Sequence, residues 1–381
     1  MAEAKFPLFK VHMPKEALVG IENVFSSGFI NEGEQVTTLT DMLCDKLGSK
    51  RLVLLNSCTS ALTLALKLAG VGPGDEVIST PMTCVATNTP IISLGAKIVW
   101  ADIDPIDGMI DGSDVRKKIT DKTKAIIAVA WAGNSPNLTM LYDMCKIRGI
   151  KLICDAAHAF GATYSGAPIA SWADFTCFSF QAIKHFTTGD GGALVCRSET
   201  DYKRSKALKW FGLDRDAAKD AQGNWKGQQW DVDIAEAGFK FNMNNEQAAI
   251  GIVQIPYIDG LIEKHRSNAS LYHTCFENYT KLVPAGHKSN DGSSFWVFTM
   301  LLKSDKITRD ELLKRLNDEG IAAGVVHIPN DSYTCFKESI TNLPGVREFS
   351  NCQLSLPCGW WLKDADVVHI AQRVQAIINE S

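Results

Sequence analysis

The sequence of 381 residues lacks several features that would assign it to particular classes of protein. It has no apolar stretch of about 18 residues and no apolar core of a secretory signal near its start, so we expect neither a membrane span nor secretion. Its net charge is −4 and its basic residues form no long run, which gives no support for nucleic-acid binding. The eight histidines form no H-x-x-x-H or H-E-x-x-H pattern and there is no C-x-x-C pair, so no metal site is predicted.

The eleven cysteines are an odd number, and several lie inside apolar runs, as Cys154, Cys177 and Cys196 do. Because disulfides form in oxidising compartments, we predict reduced core thiols in a cytoplasmic protein. The chain is 45% hydrophobic and 22% charged, which is an ordinary globular composition. Its length is sufficient for two domains.

Apolar runs and helical segments alternate between residues 51 and 196. Strands are predicted at residues 52–55, 76–79, 96–101, 125–131, 151–154, 175–180 and 193–196, and helices at 60–69, 88–94, 113–119 and 140–148. The strands are continuous apolar runs, which indicates burial on both faces. The pattern predicts an α/β fold whose mainly parallel, seven-stranded sheet is sandwiched by helices. A longer, turn-rich loop joins the last two runs and leaves room for one antiparallel strand.

The flanking segments predict two domains. Two helices are predicted before the sheet, at residues 14–27 and 35–47. After the sheet we predict a helix at 202–210, an inserted surface loop in the polar stretch at 214–233, and a helix that ends at Gln254. Beyond this point, helices are predicted at 259–279, 309–319 and 364–380, and strands at 294–302 and 322–327. We therefore predict a large domain over residues 1–255 and a smaller C-terminal α+β domain over residues 256–381.

Polar residues follow two of the predicted strands at the edge where such sheets bind ligands. Thr59 and Ser60 lie where the first strand meets a helix, and the free N–H groups of a helix start bind anions such as phosphate. Simple N-capping by Ser or Thr explains the same residues. Asp155 ends the fifth strand, where it either caps the next segment or holds a buried cation. His158 follows three residues later.

Lys184 lies between the last two apolar runs, beside a glycine-rich turn. Burial lowers the pKa of an ammonium group and frees its lone pair to attack a carbonyl, so Lys184 is a candidate imine-forming amine. A lysine on an exposed loop is the alternative. As a set, these residues would hold pyridoxal 5'-phosphate (PLP), with its phosphate on Thr59 and Ser60, its ring nitrogen paired with Asp155 and its aldehyde bonded to Lys184.

Five stretches carry a resemblance to a known family. They are NSCTSALTLAL (56–66), GPGDEVISTPMTCVATN (72–88), ICDAAHAFGATYSG (153–166), CFSFQAIKHFTTGDGGALV (177–195) and GFKFNMNNEQAAIGIVQI (238–255). The chain resembles the nucleotide-sugar aminotransferases of the DegT/DnrJ/StrS family, which belong to fold type I of the PLP-dependent enzymes, the aspartate aminotransferase type. The resemblance covers nearly the whole chain.

The resemblance implies a role for each matching residue. Lys184 matches the Schiff-base lysine and proton shuttle, Asp155 the partner of the pyridinium nitrogen, and His158 a position near the O3′ of the ring. Phosphate contacts fall on Thr59, Ser60 and Ser179. Asn242 matches an asparagine that reaches the phosphate of the neighbouring subunit's cofactor, which implies a homodimer with shared active sites.

Three positions depart from the family's pattern. Cys58 replaces a common glycine, Met82 stands where an aromatic side chain often covers the cofactor ring, and Gln181 stands where His or Tyr is common. A methionine can cover a ring face with a different geometry. Candidate substrate contacts are His185, Arg215 and His327, and a structural role is an equal alternative for each.

The resemblance implies transfer of an amino group from L-glutamate to a keto group of a nucleotide-linked deoxysugar, with 2-oxoglutarate released and pyridoxamine phosphate as the intermediate form. Such enzymes serve the biosynthesis of amino sugars for O-antigens, glycans and antibiotics. One alternative is a keto-deoxysugar 3-dehydratase of the same family, which carries histidine at the position of Lys184. A non-catalytic, PLP-binding regulatory protein is another, although the acidic charge balance disfavours DNA binding.

Overall fold

The computed structural model describes residues 4–214, 226–228, 232–286, 292–339 and 341–381. Its centre is a sheet of seven strands in the order β1-β9-β8-β5-β4-β2-β3. The strands of the chain are β1 (Leu52–Leu55), β2 (Glu76–Ser79), β3 (Lys97–Trp100), β4 (Thr123–Val129), β5 (Lys151–Asp155), β6 (Thr163–Tyr164), β7 (Ala167–Pro168), β8 (Phe175–Ser179), β9 (Gly192–Cys196), β10 (Leu282–Pro284), β11 (Phe298–Leu302) and β12 (Gln353–Leu356). All seven strands predicted between residues 51 and 196 are therefore confirmed, within two residues at each end.

The pairing of the central sheet is mainly parallel, as predicted. Strands β8, β5, β4, β2 and β3 pair in parallel. β9 pairs antiparallel with both β8 and β1, so it is the single reversed strand of this sheet. The reversal follows from the connection between β8 and β9, which is a loop without a crossover helix.

Helices cover both faces of the sheet. Those of the described residues are α1 (Glu16–Ser27), α2 (Glu34–Leu47), α3 (Cys58–Leu68), α4 (Val85–Ser93), α5 (Gly112–Lys118), α6 (Leu138–Arg148), α7 (Glu199–Leu208), α8 (Asn245–Gln254), α9 (Ile258–Phe276), α10 (Arg309–Asp318), α11 (Pro344–Cys352) and α12 (Asp364–Glu380). One apolar cluster joins the sheet to α2 and α6. A second joins the opposite face to α3. Burial on both faces explains the continuous apolar strands.

The C-terminal part of the chain contains a three-stranded antiparallel sheet in the order β10-β11-β12, packed with α9, α10 and α12 around a third apolar cluster. The strand predicted at residues 322–327 is wrong, because this stretch forms only an isolated bridge between Gly324 and Ser355. β12 supplies the edge instead. The second apolar cluster includes Trp296, Phe336 and Phe349, so it crosses the predicted boundary at residue 255, and the two-domain division stays a prediction.

Most of the loop predicted at residues 214–233 lies outside the described residues, and so does Arg215. Within the part of the chain that is described, no helix combines the length and apolar character that a bilayer-spanning helix needs.

Candidate active site

The start of α3 forms one side of the candidate site. The helix is capped by Ser57, whose Oγ accepts a hydrogen bond from the backbone N–H of Ser60 at 3.1 Å. The Ser60 hydroxyl donates to Asn56 Oδ1 at 2.6 Å. Thr59 is exposed, and its hydroxyl forms no hydrogen bond among the described residues. Because Ser57 performs the capping, Thr59 remains available to an anion at the positive end of the helix.

Gly192 allows β9 to pass close to this helix start. A Cβ atom at Gly192 would lie 2.5 Å from Cys58 N and 2.5 Å from the carbonyl carbon of Ser57. Any side chain would therefore displace the backbone that presents the helix N–H groups. Ser179 lies directly across the sheet from Gly192 and is buried, with its Oγ accepting from the Gln181 N–H at 3.3 Å.

Asp155 lies at the carboxyl end of β5 and is 4% exposed. Its Oδ2 accepts a hydrogen bond from the Thr87 hydroxyl at 2.7 Å, and its Oδ1 accepts from the Ala157 N–H at 3.1 Å. Burial raises the pKa of Asp155, while these two hydrogen bonds and the nearby Lys184 charge act in the opposite direction. No basic side chain of the described residues forms an ion pair with this carboxylate.

The Lys184 amine lies 3.5 Å from the ring centroid of Trp296. Its side chain is only partly accessible, and burial lowers its pKa from 10.5 to about 8, opposed by Cys84, Asp155 and Cys58. In the described part of the chain the amine forms no hydrogen bond to protein. The alternative of a lysine on an exposed loop is therefore wrong.

His158 is buried between two aromatic neighbours. Its ring stacks on Trp296 at 4.0 Å and faces His327 at 5.3 Å, with 3.4 Å between the two Nε2 atoms. Burial lowers the pKa of His158 well below its usual value and that of His327 to about 3, so both rings are neutral at neutral pH. The Nδ1 atom of His158 is buried and has no partner in the described structure.

Other predicted residues lie in different surroundings. His185 is buried, and its Nε2 donates to the carbonyl of Ser294 at 2.9 Å. Met82 is 0% exposed, so its side chain lies in the apolar core and its proposed contact with a ring stays a prediction. Asn242 bridges to Leu55 just before the α3 start, and its amide donates to Asn31 at 3.4 Å.

Several polar groups of these residues lack a partner in the described part of the protein, and PLP carries groups that could supply each one. The buried carboxylate of Asp155 lacks a cation that a protonated ring nitrogen would supply. The buried Nδ1 of His158 lacks a partner, and the Lys184 amine is free to bond an aldehyde. The exposed Thr59 hydroxyl and the α3 N–H groups suit a phosphate.

Two contacts at the site escaped the sequence analysis. Thr87 bonds the Asp155 carboxylate from α4, 68 residues away in the chain. Trp296 contacts the Lys184 amine, although it lies 112 residues later in the chain (296 − 184). Neither belongs to a local pattern around Asp155 or Lys184, although Thr87 falls inside the stretch at 72–88 that carries the resemblance.

The comparisons with known proteins agree with this geometry. The chain matches the DegT/DnrJ/EryC1/StrS aminotransferase family over residues 12–375. It is 30% identical to the UDP-4-amino-4-deoxy-L-arabinose–oxoglutarate aminotransferase of Shewanella sediminis, with 99% of each chain covered. Its structure matches the sugar aminotransferase CalS13 from Micromonospora echinospora at a TM-score of 0.90 and 32% identity, covering 97% of this chain and 99% of that chain. It also matches Spr1654 from Streptococcus pneumoniae, solved in PLP and PMP forms, at a TM-score of 0.88 and 28% identity, covering 98% of both chains.

The sheet order and the match to a solved sugar aminotransferase over nearly the whole chain define a PLP-dependent transferase of fold type I. The chain belongs to the DegT/DnrJ/EryC1/StrS aminotransferase family. It is a PLP-dependent sugar aminotransferase, and the predictions of its fold, its enzyme class and its cofactor are thereby confirmed.

Proposed function

We propose that this enzyme moves the amino group of L-glutamate to a keto group of a nucleotide-linked deoxysugar in the biosynthesis of an amino sugar. The observation that carries the proposal is the buried lysine amine, which lies against Trp296 and within electrostatic reach of Asp155 and His158. The Shewanella relative is named for a UDP-linked amino sugar and for oxoglutarate, which supports both the nucleotide and the donor. The free thiols of the chain support a cytoplasmic location.

The residues of the chain provide binding and proton transfer. Bound PLP supplies an electron-accepting ring. With a pKa of about 8, roughly one-tenth of the Lys184 amine is neutral at pH 7, against about three molecules in ten thousand for an ordinary lysine. The neutral amine can accept a proton and return it as general base and acid. Asp155 would keep the ring nitrogen of bound PLP protonated, and the neutral His158 would offer its buried Nδ1 to a polar group of the ring.

A direct test measures both half-reactions. The enzyme is mixed with L-glutamate alone, and conversion of the bound cofactor to its amine form is followed by absorbance. It is then given a panel of nucleotide-linked 3-keto and 4-keto sugars, with products identified by mass. We expect glutamate to convert the cofactor and one keto sugar to gain an amine. If L-glutamate does not convert the cofactor, the proposal is wrong; a dehydrated product would instead indicate the 3-dehydratase.

We further propose a homodimer with shared active sites. Large apolar side chains on α1 and after it are exposed in the single chain: Leu18, Val19, Phe25, Phe29 and Ile30. The same region touches the segment of Asn242, since Asn245 Nδ2 donates to the Phe29 carbonyl at 2.8 Å. A second copy that covers this apolar face would bring Asn242 to the subunit interface.

Mixed dimers test whether the sites are shared. Lys184→Ala and Asn242→Ala subunits are each defective, but one site of a mixed dimer would combine an intact Lys184 with an intact Asn242 from the other subunit. Random reassociation should therefore restore about a quarter of the wild-type activity. Restored activity would be absent if Asn242 serves the site of its own chain. Sedimentation of each variant alone provides the control for assembly.

A further inference from the structure

The segment at residues 294–296 contacts the chain on both sides of Lys184. The indole N–H of Trp296 donates to the carbonyl of Ile183 at 2.8 Å. The carbonyl of Ser294 accepts from the Nε2 of His185 at 2.9 Å. The residues immediately before and after the lysine are thus attached to one segment from the C-terminal part of the chain, and His185 has a structural partner.

Trp296 also contacts the reactive group itself. The Lys184 amine lies 3.5 Å from its ring centroid, which is within the range of a cation–π interaction. The indole is 3% exposed and is fixed by stacking on His158 at 4.0 Å and on Phe9 at 4.8 Å. A ring packed in this way has little freedom to move away from the amine.

Backbone hydrogen bonds hold the segment to the short turn at Trp131–Gly133, which follows β4. Trp296 N–H donates to the Ala132 carbonyl at 2.9 Å, and Ser294 N–H donates to the Gly133 carbonyl at 3.2 Å. Between them Phe295 has a φ of 46°, a left-handed conformation that a non-glycine residue seldom adopts. A Cβ at Gly133 would come within 2.6 Å of Phe295 N, so this approach requires glycine. Strain that the surroundings maintain is common where a side chain must be placed accurately.

We propose that Trp296 is the positioning residue of Lys184: its indole N–H fixes the backbone at Ile183, and its ring face holds the ammonium group when the amine is not bonded to the cofactor. The inference rests on the role of Lys184 in the proposed function. Six other titratable groups interact electrostatically with the Lys184 amine. They are Asp155, His158, His185, His327, Cys58 and Cys84.

The test compares two substitutions of Trp296 by smaller residues, phenylalanine and leucine. Trp296→Phe keeps an aromatic ring and removes the indole N–H, whereas Trp296→Leu removes both. In the full chain freed of cofactor, acetic anhydride labels the neutral amine of Lys184, and mass spectrometry of its peptide across pH gives the midpoint of labelling. The wild-type midpoint should lie near pH 8. We expect the midpoint of the leucine variant to be about one pH unit below that of the phenylalanine variant.

A positioning role also predicts a fall in kcat with little change in KM for the amino donor, larger for leucine than for phenylalanine. Equal midpoints in the two variants, or a rise in KM at unchanged kcat, would overturn the proposal. Trp172→Leu removes a partly buried indole elsewhere and serves as the control, with thermal unfolding of every variant. If leucine prevents folding, phenylalanine and wild type still differ in kcat through the lost N–H contact.

A separate experiment tests whether Lys184 is the residue that bonds the cofactor, as the proposed function requires. Borohydride reduction of the wild-type holoenzyme should fix the cofactor on the Lys184 peptide. A cofactor found on another lysine contradicts the assignment of Lys184, whereas the labelling experiment on the cofactor-free chain still reports the contact between Trp296 and the amine.

Discussion

Replacing Asp155 with asparagine is expected to stabilise the cofactor-free protein and to remove most of its activity. The carboxylate is buried and accepts two hydrogen bonds, from Thr87 and Ala157, but no cation of the described chain pairs with it. Burial therefore raises its pKa in the folded state. An asparagine has nearly the same shape. Its amide can donate to the Thr87 oxygen while the Thr87 hydroxyl donates to Thr83, whose Oγ1 lies 2.9 Å away.

The sign of the stability effect follows from the raised pKa. A carboxyl group whose pKa is higher in the folded than in the unfolded state favours folding most at low pH. The wild type therefore loses stability relative to the asparagine variant as the pH rises from the unfolded pKa, near 3.8, through the folded value. At pH 8 the cofactor-free variant should have the higher Tm, and the two proteins should converge below about pH 3, where Asp155 is largely neutral in both states.

The activity should change in the opposite direction. Asp155 is proposed to hold the protonated ring nitrogen of bound PLP, and removing one partner of a buried ion pair costs about 3–5 kcal/mol. At about 1.4 kcal/mol for each factor of ten, kcat should fall by about 100-fold to about 4,000-fold.

Thermal unfolding of the cofactor-free proteins across pH and steady-state turnover of the holoenzymes provide the two measurements. Asp174→Asn is the matched control, because its carboxylate pairs with Lys151 at 3.3 Å and accepts from the Leu152 N–H at 2.9 Å. That variant should lose stability at pH 8. The reasoning is refuted if the Asp155 variant is less stable than wild type at pH 8 but equal below about pH 3, or if kcat changes by less than about threefold.

Two further substitutions test the neighbouring groups. Lys184→Ala should abolish turnover and the absorbance that the cofactor gains on bonding to the lysine, and wild-type turnover in this variant would contradict the assignment of the catalytic amine. Thr87→Val removes a hydrogen bond to a charged group, worth about 1.5–3 kcal/mol, so cofactor-dependent turnover should fall by at least about tenfold. Thr89→Val, which alters a partly buried residue on the same helix that does not contact Asp155, should leave turnover unchanged, and equal activity of both threonine variants would argue against the role of Thr87.

The strands of the central sheet were predictable because burial on both faces leaves a continuous apolar run, a signal that depends only on neighbouring residues. The C-terminal part was harder. Residues 322–327 have the composition of a strand but pair at a single residue, whereas β12 has alternating Gln, Leu, Ser and Leu and forms the edge strand of the small sheet. Which of two short segments pairs with β11 depends on packing against distant helices, and the local composition does not contain that information.

The sequence by itself determined the α/β class and the seven strands, because each strand is a continuous apolar run. It also predicted Asp155 and Lys184 as the acid and the amine of the site, because together with Thr59 and Ser60 they form a set that suits PLP and matches the family. Only the tertiary structure decided that Ser57 caps α3 and leaves Thr59 free, that Thr87 bonds the acid, and that Trp296 faces the amine. The last two contacts join residues 68 and 112 positions apart (155 − 87 and 296 − 184). Such contacts depend on how the layers pack, and no periodicity or motif in one stretch of sequence specifies that packing.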